Sequence, residues 1–117
     1  MEQDQEEYLG MPLNTYCMLI HLSSIIIPIF GVVIPIVMWL SQKENSEFID
    51  EHGKIHINWM LSLFMYAMVL LLFPISVLTI YVFVLLLMLH FIFTITAGIK
   101  ANKGKFWVYP MSVRFIK

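Results

Sequence analysis

Two long tracts without a single charge dominate this chain. No Asp, Glu, Lys or Arg occurs between Tyr8 and Gln42, and none from Ile55 to Ile99. A helix rises about 1.5 Å per residue, so the second tract would run roughly 67 Å as one helix, against a bilayer hydrocarbon core of about 30 Å. Two spans joined by a tight turn fit it instead. Pro74-Ile75-Ser76 supplies the turn, because proline ends a helix and serine competes for backbone hydrogen bonds. The predicted spans are 55–73 and 77–99. Hydrophobic residues make up 60% of the 117 and charged ones 13%, against about 25% charged in soluble domains. A water-soluble fold of this length could not bury that much apolar surface. The apolar runs do not alternate with polar residues, so they read as helices and not barrel strands. The fold class expected is all-α, a polytopic transmembrane helix bundle forming a single membrane domain.

The first tract is compatible with two architectures. Residues 13–40 would form a helix of about 42 Å, long enough for one tilted span kinked at Pro28, Gly31 and Pro35. That gives three spans. The alternative is a helical hairpin breaking near Pro28 to Gly31, with four helices in all. Its second arm, Val32 to Leu40, is too short to cross and would be re-entrant.

All eight acidic residues lie in the first 51 positions, and five of the seven basic ones lie from Lys100 onward. Residues 1–12 form an acidic tail, 41–54 a loop carrying Lys43 and Lys54, and 100–117 a basic tail. With the C-terminus inside, every Lys and Arg is cytoplasmic, as the positive-inside rule asks. The side of the N-terminus depends on the number of helices. The acidic N-terminus does not resemble a cleavable signal, and the lone Cys17 cannot form an intrachain disulfide. Lys100, Lys103 and Lys105 suit the end of a helix leaving lipid, Gly104 suits its stop, and Phe106, Trp107 and Tyr109 suit the headgroup layer.

Inside the tracts, Cys17, His21, Ser24, Pro28, Gly31 and Pro35 follow at intervals of four, three, four, three and four, one face of a helix. Small and polar residues on one face point to protein contact rather than lipid, so this is a candidate partner-facing seam. Asn58, Ser62 and Tyr66 repeat at intervals of four, and Thr79, His90, Thr94 and Ala97-Gly98 share a face with Phe83 and Leu87. His21 and His90 are candidates for an intramembrane polar path, since ionisable groups at membrane depth are rarely idle; the ordinary alternative is neutral histidine bonding between helices. His52 and His56, four apart, could face one metal, but two ligands do not make a closed site. No phosphate loop, nucleophile elbow or metalloprotease helix occurs. The reading is therefore non-enzymatic, with no cofactor, no metal, no nucleic acid and no small-molecule substrate.

The order of motifs adds a resemblance. An early His21-Leu-Ser, an Ile-Pro-Ile ahead of Trp39-Leu40, Phe48-Ile-Asp-Glu-His-Gly-Lys54, Asn58, Ile99-Lys-Ala-Asn-Lys-Gly104, Tyr109-Pro110 and Arg114-Phe-Ile-Lys117 together resemble a group of small bacterial membrane proteins distantly related to the Tic-twenty subunit of chloroplast import. The likeness implies a bacterial inner-membrane location, four helices and a link to protein translocation. It marks Asp50, Glu51, His52, Gly53, Lys54, Asn58, Asn102, Tyr109 and Pro110 as an interface cluster. The leading expectation is an accessory or structural subunit among other membrane-protein subunits. A small homo-oligomeric channel or carrier is the alternative, and a lipid or metal sensor built on residues 50–56 ranks third.

Overall fold

The computed structural model describes residues 7–8, 10–26 and 31–116. Four helices are described: α1 (Leu13–Ile26), α2 (Val33–Gln42), α3 (Glu47–Leu70) and α4 (Val77–Asn102). A two-residue strand pair, β1 (Glu7–Tyr8) and β2 (Met11–Pro12), precedes them, antiparallel with Tyr8 opposite Met11. The molecule is elongated, 53 Å by 24 Å by 22 Å.

The first tract is thus two helices and not one kinked helix, which corrects the three-helix reading in favour of the helical hairpin. α2 begins directly after Gly31-Val32 and carries Pro35 in its first turn, where the missing N–H leaves no helical bond unmade. Pro28 lies outside the described residues. α3 starts at Glu47, eight residues before the predicted span, because Ser46 caps it by accepting from the Ile49 N–H at 3.3 Å, and Glu47 and Asp50 complement the positive end of the helix dipole. What read as a loop over 41–54 is therefore largely helix. Among the described residues one helix, α4, is long and apolar enough to cross a membrane, so three spans are an expectation beyond what the fold displays.

Packing divides the molecule into a core end and a bare hairpin. α1 packs most closely on α4, and α2 lies against α1 and α3. Leu13, Tyr16, Cys17, Ile20, Ile49 and Ala101 form one buried cluster, and Ile55, Trp59, Ala97 and Tyr109 a second. Gly98 permits the close approach of α1: an added Cβ would lie 2.8 Å from Leu22 Cδ2. Beyond that core, α3 and α4 run on as an apolar hairpin whose tip, Leu71 to Leu78, is fully exposed. Its backbone is satisfied locally. Ser76 accepts from the Thr79 N–H at 3.3 Å, the Thr79 hydroxyl donates to the Pro74 carbonyl at 2.9 Å, and Leu72 and Phe73 donate to Val69 and Leu70 carbonyls. A turn so closed on itself tolerates lipid.

At the other end of α4, Gly104 adopts φ +77°, a left-handed conformation that glycine enters without strain. It closes the helix with Gly104 N–H donating to Ala101 and Lys105 N–H donating to Lys100. The chain after it does not leave the molecule. It returns along α3, held by the evenly spaced polar residues of that helix. Asn58 donates to the Ile116 carbonyl at 2.9 Å and accepts from its N–H at 2.7 Å, Ser62 accepts from the Val113 N–H at 2.7 Å, and Tyr66 donates to the Met111 carbonyl.

Candidate functional site

The returning tail delivers Tyr109 into the core, where it meets three histidines. His21 comes from α1, and His52 and His56 from consecutive turns of α3; all three and Tyr109 are buried. Their polar atoms form a chain. The Tyr109 hydroxyl lies 2.9 Å from His56 Nδ1 and 2.7 Å from His21 Nδ1, and His21 Nε2 lies 3.1 Å from His52 Nδ1. Thr94 of α4 also hydrogen-bonds the phenol. Burial pushes the Tyr109 phenol well above the ordinary tyrosine range, the Thr94 hydroxyl opposing it, so Tyr109 keeps its proton and both donates and accepts. The two ends of the chain, His52 Nε2 and His56 Nε2, are buried without a hydrogen-bond partner.

Aromatic rings wall this centre. His52 lies between Phe48 and Phe106, with ring centroids at 4.6 Å and 4.7 Å. Trp59 stacks on Tyr109 at 5.2 Å with 17° between the planes. His90 stands apart from the chain: its Nδ1 receives the Trp59 indole N–H at 3.1 Å and faces the Thr94 hydroxyl at 3.3 Å. Expected membrane depth had grouped His21 with His90, whereas the structure brings His21 to His52 and, through Tyr109, to His56. The link through Tyr109 was invisible in the sequence, because only the reversal of the tail places that residue in the core. The i, i+4 spacing of His52 and His56 was the one local signal. Among the described residues, no group of three His, Cys, Asp or Glu side chains is placed to hold a metal ion.

The remaining candidates fall around this centre. Cys17, Ser24, Gly31 and Pro35 are buried, and Ser24 donates back to the His21 carbonyl at 2.9 Å. Gly53 is the contact point for Trp39, whose indole N–H donates to Asp50 at 2.8 Å, while Lys54 pairs with the same carboxylate at 3.0 Å. Burial acts to raise the Asp50 carboxyl, but the Trp39 and Lys54 contacts win and hold it below its ordinary value. Glu51 is partly exposed, and Asn102 and Pro110 are exposed at the surface.

A family model matches residues 13–116, all four helices and the returning tail; it is the model of the magnetosome magnetite crystal formation protein family. The chain belongs to that family. This corrects the expected kinship with the Tic-twenty-like group, and the link to protein translocation falls with it. The residues that carried that resemblance are an acidic helix start, a glycine under a tryptophan and a lysine-rich exit. The acidic start and the lysine-rich exit are general solutions for helix ends, which is why they did not discriminate between families. No curated protein and no solved structure matches the chain. A small magnetosome-family protein with a bare apolar helix is membrane-associated.

Proposed function

We propose that this protein is a non-enzymatic, membrane-embedded participant in the formation of magnetite crystals. The observation that carries the reading is the family match across residues 13–116. The distribution of polarity supplies the physical picture. Glu47, Asp50, Glu51 and Lys54 occupy the first two turns of α3, and Lys100 the last turn of α4. From Val77 to Ile99, α4 offers about 33 Å of uncharged helix at 1.5 Å per residue, enough for a hydrocarbon core of about 30 Å. We therefore place the α3–α4 hairpin in lipid as two passes, with the charged end at one surface. On α2, Val33, Val37 and Leu40 are exposed at helical spacing, so the short α1–α2 hairpin dips into the same leaflet. Lipid covers these faces, and the buried polar centre sits where the charged end meets the bilayer. The lysine distribution argues for a cytoplasmic charged end.

Purified protein reconstituted in vesicles that precipitate magnetite from supplied iron tests this. The expected result is crystals whose size distribution differs from that in protein-free vesicles. Indistinguishable crystals, together with unaltered crystals in cells lacking the protein, would refute it.

A further inference from the structure

The buried centre has a property that an ordinary set of core hydrogen bonds lacks. Each neutral imidazole carries one hydrogen on one of its two nitrogens, and a phenol carries one. With the phenolic hydrogen kept on the chain, two placements of those four hydrogens complete every bond; turned to Thr94, it leaves a third arrangement that is fixed. In the first, His56 Nδ1 donates to Tyr109, Tyr109 to His21 Nδ1, and His21 Nε2 to His52 Nδ1. The spare hydrogen is then on His52 Nε2, and His56 Nε2 is a bare lone pair. In the second, all three bonds point the other way and the two ends exchange roles. Tyr109 accommodates either, because its oxygen donates once and accepts twice, and its three neighbours are the two histidines and Thr94. The orphaned atoms of the structure, His52 Nε2 and His56 Nε2, are the two termini in both cases.

We propose that His56, Tyr109, His21 and His52 form a proton relay with entry and exit at the two unpartnered Nε2 atoms. A proton from water binds the bare Nε2 of His56. The Nδ1 proton of His56 moves to the Tyr109 oxygen as the phenolic proton moves to His21 Nδ1; the Nε2 proton of His21 moves to His52 Nδ1, and His52 releases its Nε2 proton to water. One proton enters, one leaves, and the four residues end neutral in the reversed arrangement. Transfer in the opposite sense runs from His52 to His56. A second proton in the same direction waits for the imidazoles to flip. Imidazole is suited to this because it accepts at one nitrogen while donating from the other; burial lowers the His52 pKa to about 4, so the proton passes through and does not rest there. At the His52 end the covering ring is Phe106, itself half exposed, so its swing admits water. His90 is excluded, since Trp59 fixes its Nδ1 as an acceptor.

The inference rests on the proposed role in magnetite formation for its purpose but not for its test. Building an iron oxide from aqueous iron ions and water liberates the protons of that water, and they must be carried off for growth to continue. The relay supplies a protein path for part of that traffic.

Two measurements on the full-length protein decide it. In nitrogen-15 spectra of the histidine-labelled protein in bicelles, His21, His52 and His56 should each show both tautomers in exchange while His90 shows one. Tyr109→Phe should freeze that exchange. In the same bicelle spectra, exchange of the imidazole ring protons with water should be faster in the wild type than in Tyr109→Phe, and faster still in Phe106→Ala. Fixed tautomers with His21 and His56 both protonated at Nδ1, the phenol then turned to Thr94, would overturn the relay. So would ring-proton exchange with water that is equally slow in wild type and Phe106→Ala, a pair that does not depend on Tyr109→Phe folding. Relay exchange without any effect on crystals would instead sink the magnetite reading and leave the relay standing.

Discussion

Replacing Gly53 by alanine should destabilise the protein, although alanine is the better helix former. The site lies in the interior of α3, where alanine gains about 1 kcal/mol over glycine by propensity. Against that gain, a Cβ at this position would overlap the Trp39 ring and lie 2.8 Å from the Trp39 Cβ. This is the rigid root of the side chain and not a flexible tip, so Trp39 must move as a whole. Overpacking of that kind costs about 1–3 kcal/mol. Moving the indole also breaks its bond to Asp50, now 2.8 Å, and a bond to a charged acceptor is worth about 1.5–3 kcal/mol. Asp50 is partly exposed, which puts that loss near the lower end, so the net cost is about 2–3 kcal/mol. Unfolding by SDS titration in mixed micelles, followed by far-UV circular dichroism, reads the change. The decisive arm is the Trp39→Ala background, where the obstacle is gone and Gly53→Ala should become stabilising by about 1 kcal/mol. The same destabilisation in both backgrounds would refute the reasoning.

Other consequences follow from the same contacts. Asn58→Leu removes both bonds to Ile116 at about 1 kcal/mol each, and should release the tail, seen as faster tryptic cleavage at Arg114; an unchanged rate would mean the tail is held elsewhere. The Asp50 carboxyl is held below its ordinary value, so its contribution to stability is present above the unfolded pKa of about 3.9 and is lost as pH falls through the lower folded value. Asp50→Asn should flatten that acid limb of the denaturation profile, and an unaltered limb would assign it to another carboxylate. A cysteine placed at Lys103 should react with an impermeant maleimide from the cytoplasmic face, while wild-type Cys17, buried, stays silent; labelling only from the opposite face would reverse the orientation.

Much of the architecture was legible because charge avoidance acts on whole segments. The Pro74-Ile75-Ser76 turn stands where it was predicted, and the stripe of Asn58, Ser62 and Tyr66 does meet protein. The partner of that stripe is the chain's own tail, which no periodicity could reveal, since tail residues 105–116 form no helix and carry no repeat. Length alone favoured one first helix, whereas a second helix begins at Val33, just after Gly31 and Val32. Gly53 was marked by the resemblance, and its structural reason is the tertiary approach of Trp39. The histidines were visible individually, but their assembly required knowing that Tyr109 turns inward. Long-range hydrogen bonds such as His21 to Tyr109, 88 residues apart, leave no local trace.

The central physical claim is that the bare hairpin of α3 and α4 resides in lipid, and spin labels at Leu72, Val84 and Leu87 in reconstituted vesicles test it most directly. The account predicts that collisions with oxygen, which partitions into hydrocarbon, exceed those with a water-soluble nickel chelate at all three positions. A preference for the nickel chelate along Val84 and Leu87 would place the hairpin in water and contradict the account.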